Sequence, residues 1–103
     1  MFSRLTAKYG EDFNWAATDN TSFMTEVTSE LSNRHPLYGK IESVVARCYS
    51  NDDVLFALND GSYAIVHLTY VKNNEAGFPV YTEFLDIDAA LEFIEAQFTA
   101  NIL

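Results

Sequence analysis

The stretch VLFALNDGSYAIVHLTY, residues 54–70, decides the fold of this 103-residue chain. Aliphatic and aromatic residues fill both of its halves, and Asp60-Gly61 lies between them. Asp-Gly between two β-rich segments is a strong hairpin signal, because both positions tolerate positive φ. The stretch therefore predicts two antiparallel strands joined by a tight turn.

Two further segments of the same character flank this hairpin. One precedes it across the turn-forming pair Asn51-Asp52, and the other follows it after Pro79. Together they predict an antiparallel meander of three to four strands. The strand segments are 41–50, 53–59, 62–71 and 80–85.

Segments whose apolar residues have helical spacing precede and follow the meander in the sequence. Residues 3–9 predict a short helix that stops at Gly10, and Asp86 is the expected N-cap of the last helix. The two longer helices have apolar residues at three- and four-residue intervals. Their apolar stripes are Phe23, Val27 and Leu31 in the first, and Ile87, Leu91, Ile94 and Phe98 in the second.

A two-residue turn at Asp60-Gly61 would determine which side chains share a face of the sheet. With that turn Phe56 faces Ile65 and Val54 faces His67, and side chains alternate along each strand. One face then carries mostly small apolar residues, to which both main helices are assigned. The order α-α-β-β-β-β-α predicts a two-layer α+β fold, with the whole chain forming a single domain.

The second face of the predicted sheet is the candidate contact surface. It mixes aromatic and aliphatic side chains with polar ones, and a contiguous exposed apolar patch usually marks an interface. Three arrangements remain open: the N-terminal segment with Phe13 and Trp15 covers this face, a second copy covers it, or it is a groove for a ligand or partner. The candidate binding residues are Arg47, Tyr49, Phe56, Tyr63, Ile65 and His67.

The charge balance excludes several classes of partner. Fifteen acidic residues against six basic ones give a formal charge of −9, and the lysines and arginines are scattered singly. Nucleic-acid binding depends on clustered cations, and anionic membranes attract the same groups. No apolar run approaches the roughly 18 residues of a membrane span. The single cysteine, Cys48, allows no internal disulfide, and the expected location is the cytoplasm.

No motif in the chain commits it to catalysis. There is no glycine-rich phosphate loop, nucleophile elbow or metal-ligand spacing, so no catalytic residue, metal or cofactor is expected. His67 could act as a general base, but no nucleophile or paired carboxylate stands at a spacing that would support this. The sequence favours a non-enzymatic protein.

Three short patterns resemble an uncharacterised small bacterial protein family. They are HPLYG at 35–39, Ala46-Arg47 followed by NDDVLF at 51–56, and VHLTY at 66–70. The resemblance implies that His35, Arg47, Asp53 and His67 form one polar cluster. It implies no activity.

The sequence thus predicts a small acidic protein-interaction or binding module that contacts a protein partner or self-associates as a homodimer. One alternative is an immunity-type inhibitor of a basic toxin, which would use an acidic edge made of Asp52, Asp53, Glu75 and Glu83. The other is a small ligand-binding or hydrolytic protein that uses His67 with Arg47.

Overall fold

A computed structural model describes residues 1–72 and 77–102, the last two by their backbone only. The fold is α+β, with one five-stranded antiparallel sheet and three α-helices. A 3-10 turn, Gly10–Asp12, follows the first helix. In chain order the elements are α1 (Ser3–Tyr9), β1 (Trp15–Ala17), α2 (Ser22–Glu30), β2 (Ile41–Cys48), β3 (Asp53–Leu58), β4 (Tyr63–His67), β5 (Tyr81–Phe84) and α3 (Ile87–Ile102).

The strands follow one another in the order β1-β2-β3-β4-β5, and every neighbouring pair is antiparallel. The α+β class and the antiparallel meander are confirmed. The sequence predicts one strand too few, because β1 is only three residues long and shows no measurable periodicity. It pairs with the end of β2, where Trp15 lies opposite Cys48.

The two longer helices lie on opposite faces of the sheet. Val27 of α2 and Leu31, which directly follows this helix, pack on Val54, Phe56 and alternate residues of β4. Helix α3 packs on the intervening residues of the two strands. The sheet is therefore the middle of three layers, and the prediction of two layers with both helices on one face is wrong. On the α3 side the buried residues are Phe2, Leu5, Phe13, Trp15, Ala46, Cys48, Leu55, Ile65, Ala90, Ile94 and Phe98.

The predicted division of the β4 side chains between the two faces is wrong because of one residue in the hairpin between β3 and β4. The Leu58 N–H donates to the Ser62 carbonyl, so the loop has three residues, and Gly61 adopts a φ of 88°. A three-residue loop with a left-handed last position is a common alternative to the two-residue turn. Phe56 consequently lies opposite Ala64 instead of Ile65. A shift of one residue turns every side chain of β4 to the other face.

The predicted contact face is therefore divided between the two layers. Phe56 is fully buried in the cluster under α2, and Ile65 is buried in the cluster under α3. Tyr63 is half-buried on the α3 side. The aromatic N-terminal segment does cover a face of the sheet, since Phe13 and Trp15 belong to the α3-side cluster.

A carboxylate of α3 anchors the N-terminal helix. Glu95 accepts hydrogen bonds from Lys8 Nζ at 2.9 Å and from the Tyr9 hydroxyl at 2.7 Å. These two bonds, with the nearby positive charges, hold the pKa of Glu95 below its ordinary value. These contacts hold α1 against α3, on the α3 side of the sheet.

None of the described helices combines the length and hydropathy that a membrane crossing requires.

Candidate functional site

Asp53 and His67 form a hydrogen-bonded pair at one end of the sheet. They lie opposite each other on β3 and β4, and His67 Nδ1 is 2.8 Å from Asp53 Oδ1. This bond orients the imidazole, and Nε2 makes no hydrogen bond within the described residues. Slightly more than half of the His67 side chain, 54%, is exposed. The pair is thus held by the sheet but remains accessible.

A depression runs from this pair along α3, and we call it the His67 groove. Its wider part holds about 160 Å³ and narrows to a cavity of about 30 Å³ that shares Asp53 and Gln97 with it. The wider part is bounded by Asp53, Ile65, His67, Val80, Tyr81, Thr82, Phe93 and Gln97. The narrow part adds Asn14, Trp15, Cys48, Asn51, Ile94 and Phe98.

The polar groups of the groove include unused hydrogen-bond acceptors. Asn14 donates through Nδ2 to the Ser50 hydroxyl, but its Oδ1 is buried without a hydrogen-bond partner. Cys48 borders the narrow part yet is almost fully buried and has no cationic neighbour there. A reactive thiolate needs both exposure and nearby positive charge, so Cys48 is a core residue. Across the ranges 1–72 and 77–102, no cluster of His, Cys, Asp and Glu could hold a metal ion.

A second feature lies on the opposite side of the sheet, around Arg47. Its guanidinium is 5.6 Å from the ring centroid of Phe23 on α2 and 4.6 Å from that of Tyr49. The Nε atom is buried and makes no hydrogen bond, and no ion pair joins Arg47 to a carboxylate in the described part of the chain. Tyr49 is 64% exposed. The guanidinium is thus held between rings while its N–H groups remain unused.

Tyr70 lies on the same side of the sheet as Arg47, next to α2. It has a φ of 58°, a left-handed conformation that costs a tyrosine of order 1–3 kcal/mol, and its side chain is 57% exposed. Burial of the phenol raises the pKa of Tyr70, the carboxylates of Asp52 and Glu26 raise it further, and Arg47 lowers it. Arg47 is thus within electrostatic range of the phenol. We call Phe23, Arg47, Tyr49 and Tyr70 the Arg47 patch.

A buried carboxylate holds Tyr70 in place. Glu30, the last residue of α2, is fully buried and accepts hydrogen bonds from the Thr69 and Tyr70 N–H groups, each at 2.8 Å. The Thr69 hydroxyl donates to it as well, at 2.8 Å. Glu30 therefore links α2 to the segment after β4 and supports the strained conformation of Tyr70.

The structure brings together only part of the predicted site. Asp53 and His67 meet, but Arg47 lies on the opposite face of the sheet, so the four-residue polar cluster is wrong as a whole. His35 is separate from both. It is buried, accepts a hydrogen bond from the Leu37 N–H at Nδ1 (3.0 Å), and donates from Nε2 to the Pro79 carbonyl (2.9 Å). It ties the loop before β2 to the segment before β5.

We expect His35→Phe to destabilise the protein by about 2–4 kcal/mol. The ring would still pack on Tyr81, whose centroid is 5.0 Å away, but the Leu37 N–H and the Pro79 carbonyl would lose their partner. Urea denaturation measures the loss. His67→Phe is the matched control, with an expected cost below about 1 kcal/mol because that side chain is exposed. Equal losses in the two variants would contradict the structural role of His35.

Sequence reasoning missed several residues that shape these two features. Glu30 lies 39 residues before Thr69, and no local pattern relates them. Asn14 and Gln97 border the same cavity although they lie 83 positions apart in the sequence. Phe23 was predicted only as part of an apolar helix stripe.

Comparison with models of known protein families, with curated proteins and with solved structures found no significant match.

Proposed function

We propose that the protein is a non-enzymatic protein-interaction module and that the Arg47 patch is its contact surface. The proposal rests on the surroundings of the Arg47 guanidinium. In a chain with fifteen acidic residues, this cation is held between two rings and pairs with none of the described carboxylates.

The unused N–H groups of Arg47 indicate what the partner supplies. The guanidinium makes no hydrogen bond within the described residues, and an acceptor from a partner would satisfy N–H groups that the fold leaves unpaired. The planar guanidinium presents its donors in a fork that matches a carboxylate or two carbonyl oxygens. The partner is therefore expected to place such an acceptor against Arg47.

The aromatic residues of the patch support the same function. Tyrosine and arginine are enriched among the residues that dominate binding energy at protein interfaces. Tyr49 and Tyr70 are both more than half exposed, and both are held in position, the first against Arg47 and the second through the bonds of its segment to Glu30. Side chains that are ordered before binding lose less entropy on association.

The two alternatives find less support. Among the described residues, no Ser or Cys nucleophile lies within hydrogen-bonding distance of the Asp53–His67 pair. The support for a hydrolytic function is correspondingly weak. The acidic edge is not continuous, since Glu83 lies opposite Ala64, three rows from the Asp53–His67 pair. Asp52 is exposed, whereas Glu75 lies outside the described residues.

A photo-crosslinking amino acid placed at Tyr49 or at Tyr70 tests the proposal in the native host. Tyr38 is the matched control, because it is 57% exposed and precedes the opposite end of β2. We expect one and the same protein to be crosslinked from positions 49 and 70 but not from 38. A second copy of the chain as the crosslinked species would assign the patch to a homodimer.

The purified partner then allows a quantitative measurement. We expect Arg47→Lys, which keeps the charge but loses the planar fork, to weaken binding at least tenfold in calorimetry, or about 1.4 kcal/mol. Tyr38→Ala should change the affinity less than twofold. Unchanged affinity in Arg47→Lys, or equal crosslinking from all three positions, would refute the proposal.

A further inference from the structure

We infer that the His67 groove is a binding site for a primary alkylammonium group. The inference goes beyond the proposed interaction function, because the groove and the Arg47 patch lie on opposite faces of the sheet. Either site can be disproved without the other.

The first argument is the excess of acceptors in the groove. Asp53 uses Oδ1 for His67, and a carboxylate has about four acceptor positions, so Oδ2 remains available. His67 donates from Nδ1, which makes Nε2 of the neutral ring an acceptor. Asn14 borders the narrow part, and its Oδ1 is buried without a hydrogen-bond partner. This surplus of acceptors favours a ligand that donates hydrogen bonds.

The second argument is charge. Asp53 places a carboxylate in both parts of the groove, and no lysine or arginine borders either part. The formal charge of −9 further disfavours anions and attracts cations. A metal ion is a poor candidate because the described chain has no cluster of three metal ligands. The preferred ligand is therefore an organic cation.

The third argument is shape. The narrow part, at about 30 Å³, is much smaller than the wider part, which favours a compact ammonium group over a planar guanidinium. Trp15 and Phe98 border this part, and aromatic rings stabilise a cation near their faces. The wider part, beside Phe93 and Ile65, accommodates the attached carbon chain.

The direct test is an NMR titration of the full chain with propylammonium chloride at constant ionic strength. We expect saturable shifts of the Asn14 and Gln97 side-chain amides, with a dissociation constant on the order of 1–10 mM. Tetramethylammonium has the charge without N–H donors, and propanol has a donor without the charge. Neither should saturate these signals.

Two variants locate the site. Asp53→Asn should weaken propylammonium binding at least tenfold, whereas Asp52→Asn, the same charge change one residue away, should alter it less than twofold. Asn14→Leu should abolish binding by replacing the polar border of the narrow part with methyl groups, which keeps the test valid if Asp53→Asn fails to fold.

The source of the ammonium group is distinguished by a further titration. Tighter binding of blocked lysine than of propylammonium indicates a lysine side chain from a protein, and equal affinity indicates a small amine. Shifts that do not saturate, or that persist unchanged in Asp53→Asn, would show that Asp53 does not hold an ammonium group in the groove and would overturn the inference.

Discussion

Phe56→Asp is expected to unfold the protein. Phe56 is fully buried beneath α2, where it packs among Val27, Leu37 and other apolar residues of the α2-side cluster. Truncating such a phenylalanine to alanine costs about 3–5 kcal/mol. A carboxylate at the same position must also be buried without a partner or be protonated. The total stability of a domain is only about 5–15 kcal/mol, so the folded state should not survive.

Circular dichroism and the fluorescence of Trp15 measure this outcome. Tyr49→Asp is the matched control: it introduces the same charge at an exposed aromatic residue and should leave both signals native. Phe56→Leu should remain folded at a cost of about 1–2 kcal/mol. A folded Phe56→Asp protein with an altered oligomeric state would instead restore the open face that the sequence predicts.

The sequence predicts the elements well because their signals are local. Periodicity locates β2 to β5 and all three helices, and Gly10 ends α1 where expected. The register of the hairpin has no comparable local signal in the sequence. Gly61 with its positive φ serves a two-residue turn and a three-residue loop equally well, and only the tertiary contacts select the longer one.

The strand β4 also explains why hydrophobic alternation could not correct the register. When helices cover both faces of a sheet, both sets of side chains must be apolar. Ala64 and Val66 face α2, while Ile65 faces α3, and either set would suit a core. Only His67 breaks the pattern, at the end of the strand. With the correct loop length, its pairing with Asp53 would have followed directly from counting residues.

The second large effect is expected at Glu30, where Glu30→Gln should destabilise the protein by about 2–4 kcal/mol. The amide oxygen can still accept from Thr69, but the amide nitrogen would face the Tyr70 N–H, which then loses its acceptor. Tyr70 also loses the bond that holds its left-handed conformation. Urea denaturation measures the change, and wild-type stability in Glu30→Gln would show that the carboxylate does not support this segment.

Glu26 lies one turn before Glu30 on α2, and the two carboxyl groups influence each other's pKa. Glu26→Gln is the control with the opposite expected sign. Burial raises the pKa of Glu30, but hydrogen bonds from Glu26, Thr69 and Tyr70 outweigh it and leave the pKa below its ordinary value of 4.5. The hydrogen bond to Glu30, together with burial, raises the pKa of Glu26 above 4.5. The contribution of Glu30 is therefore lost as the pH falls through its lowered pKa.

The contribution of Glu26 has the reverse dependence: it is complete below 4.5 and is lost as the pH rises through the raised pKa, where two carboxylates repel each other. A neutral amide at position 26 still donates to Glu30 but cannot ionise. We therefore expect Glu26→Gln to stabilise the protein at pH 7–8 by about 0.5 kcal/mol, and to make little difference near pH 4.5. Urea midpoints measured across this range test the expectation. Parallel curves for the variant and the wild type would contradict the mutual influence of the two carboxyl groups, because a glutamate that ionises independently of Glu30 produces no difference that grows with pH.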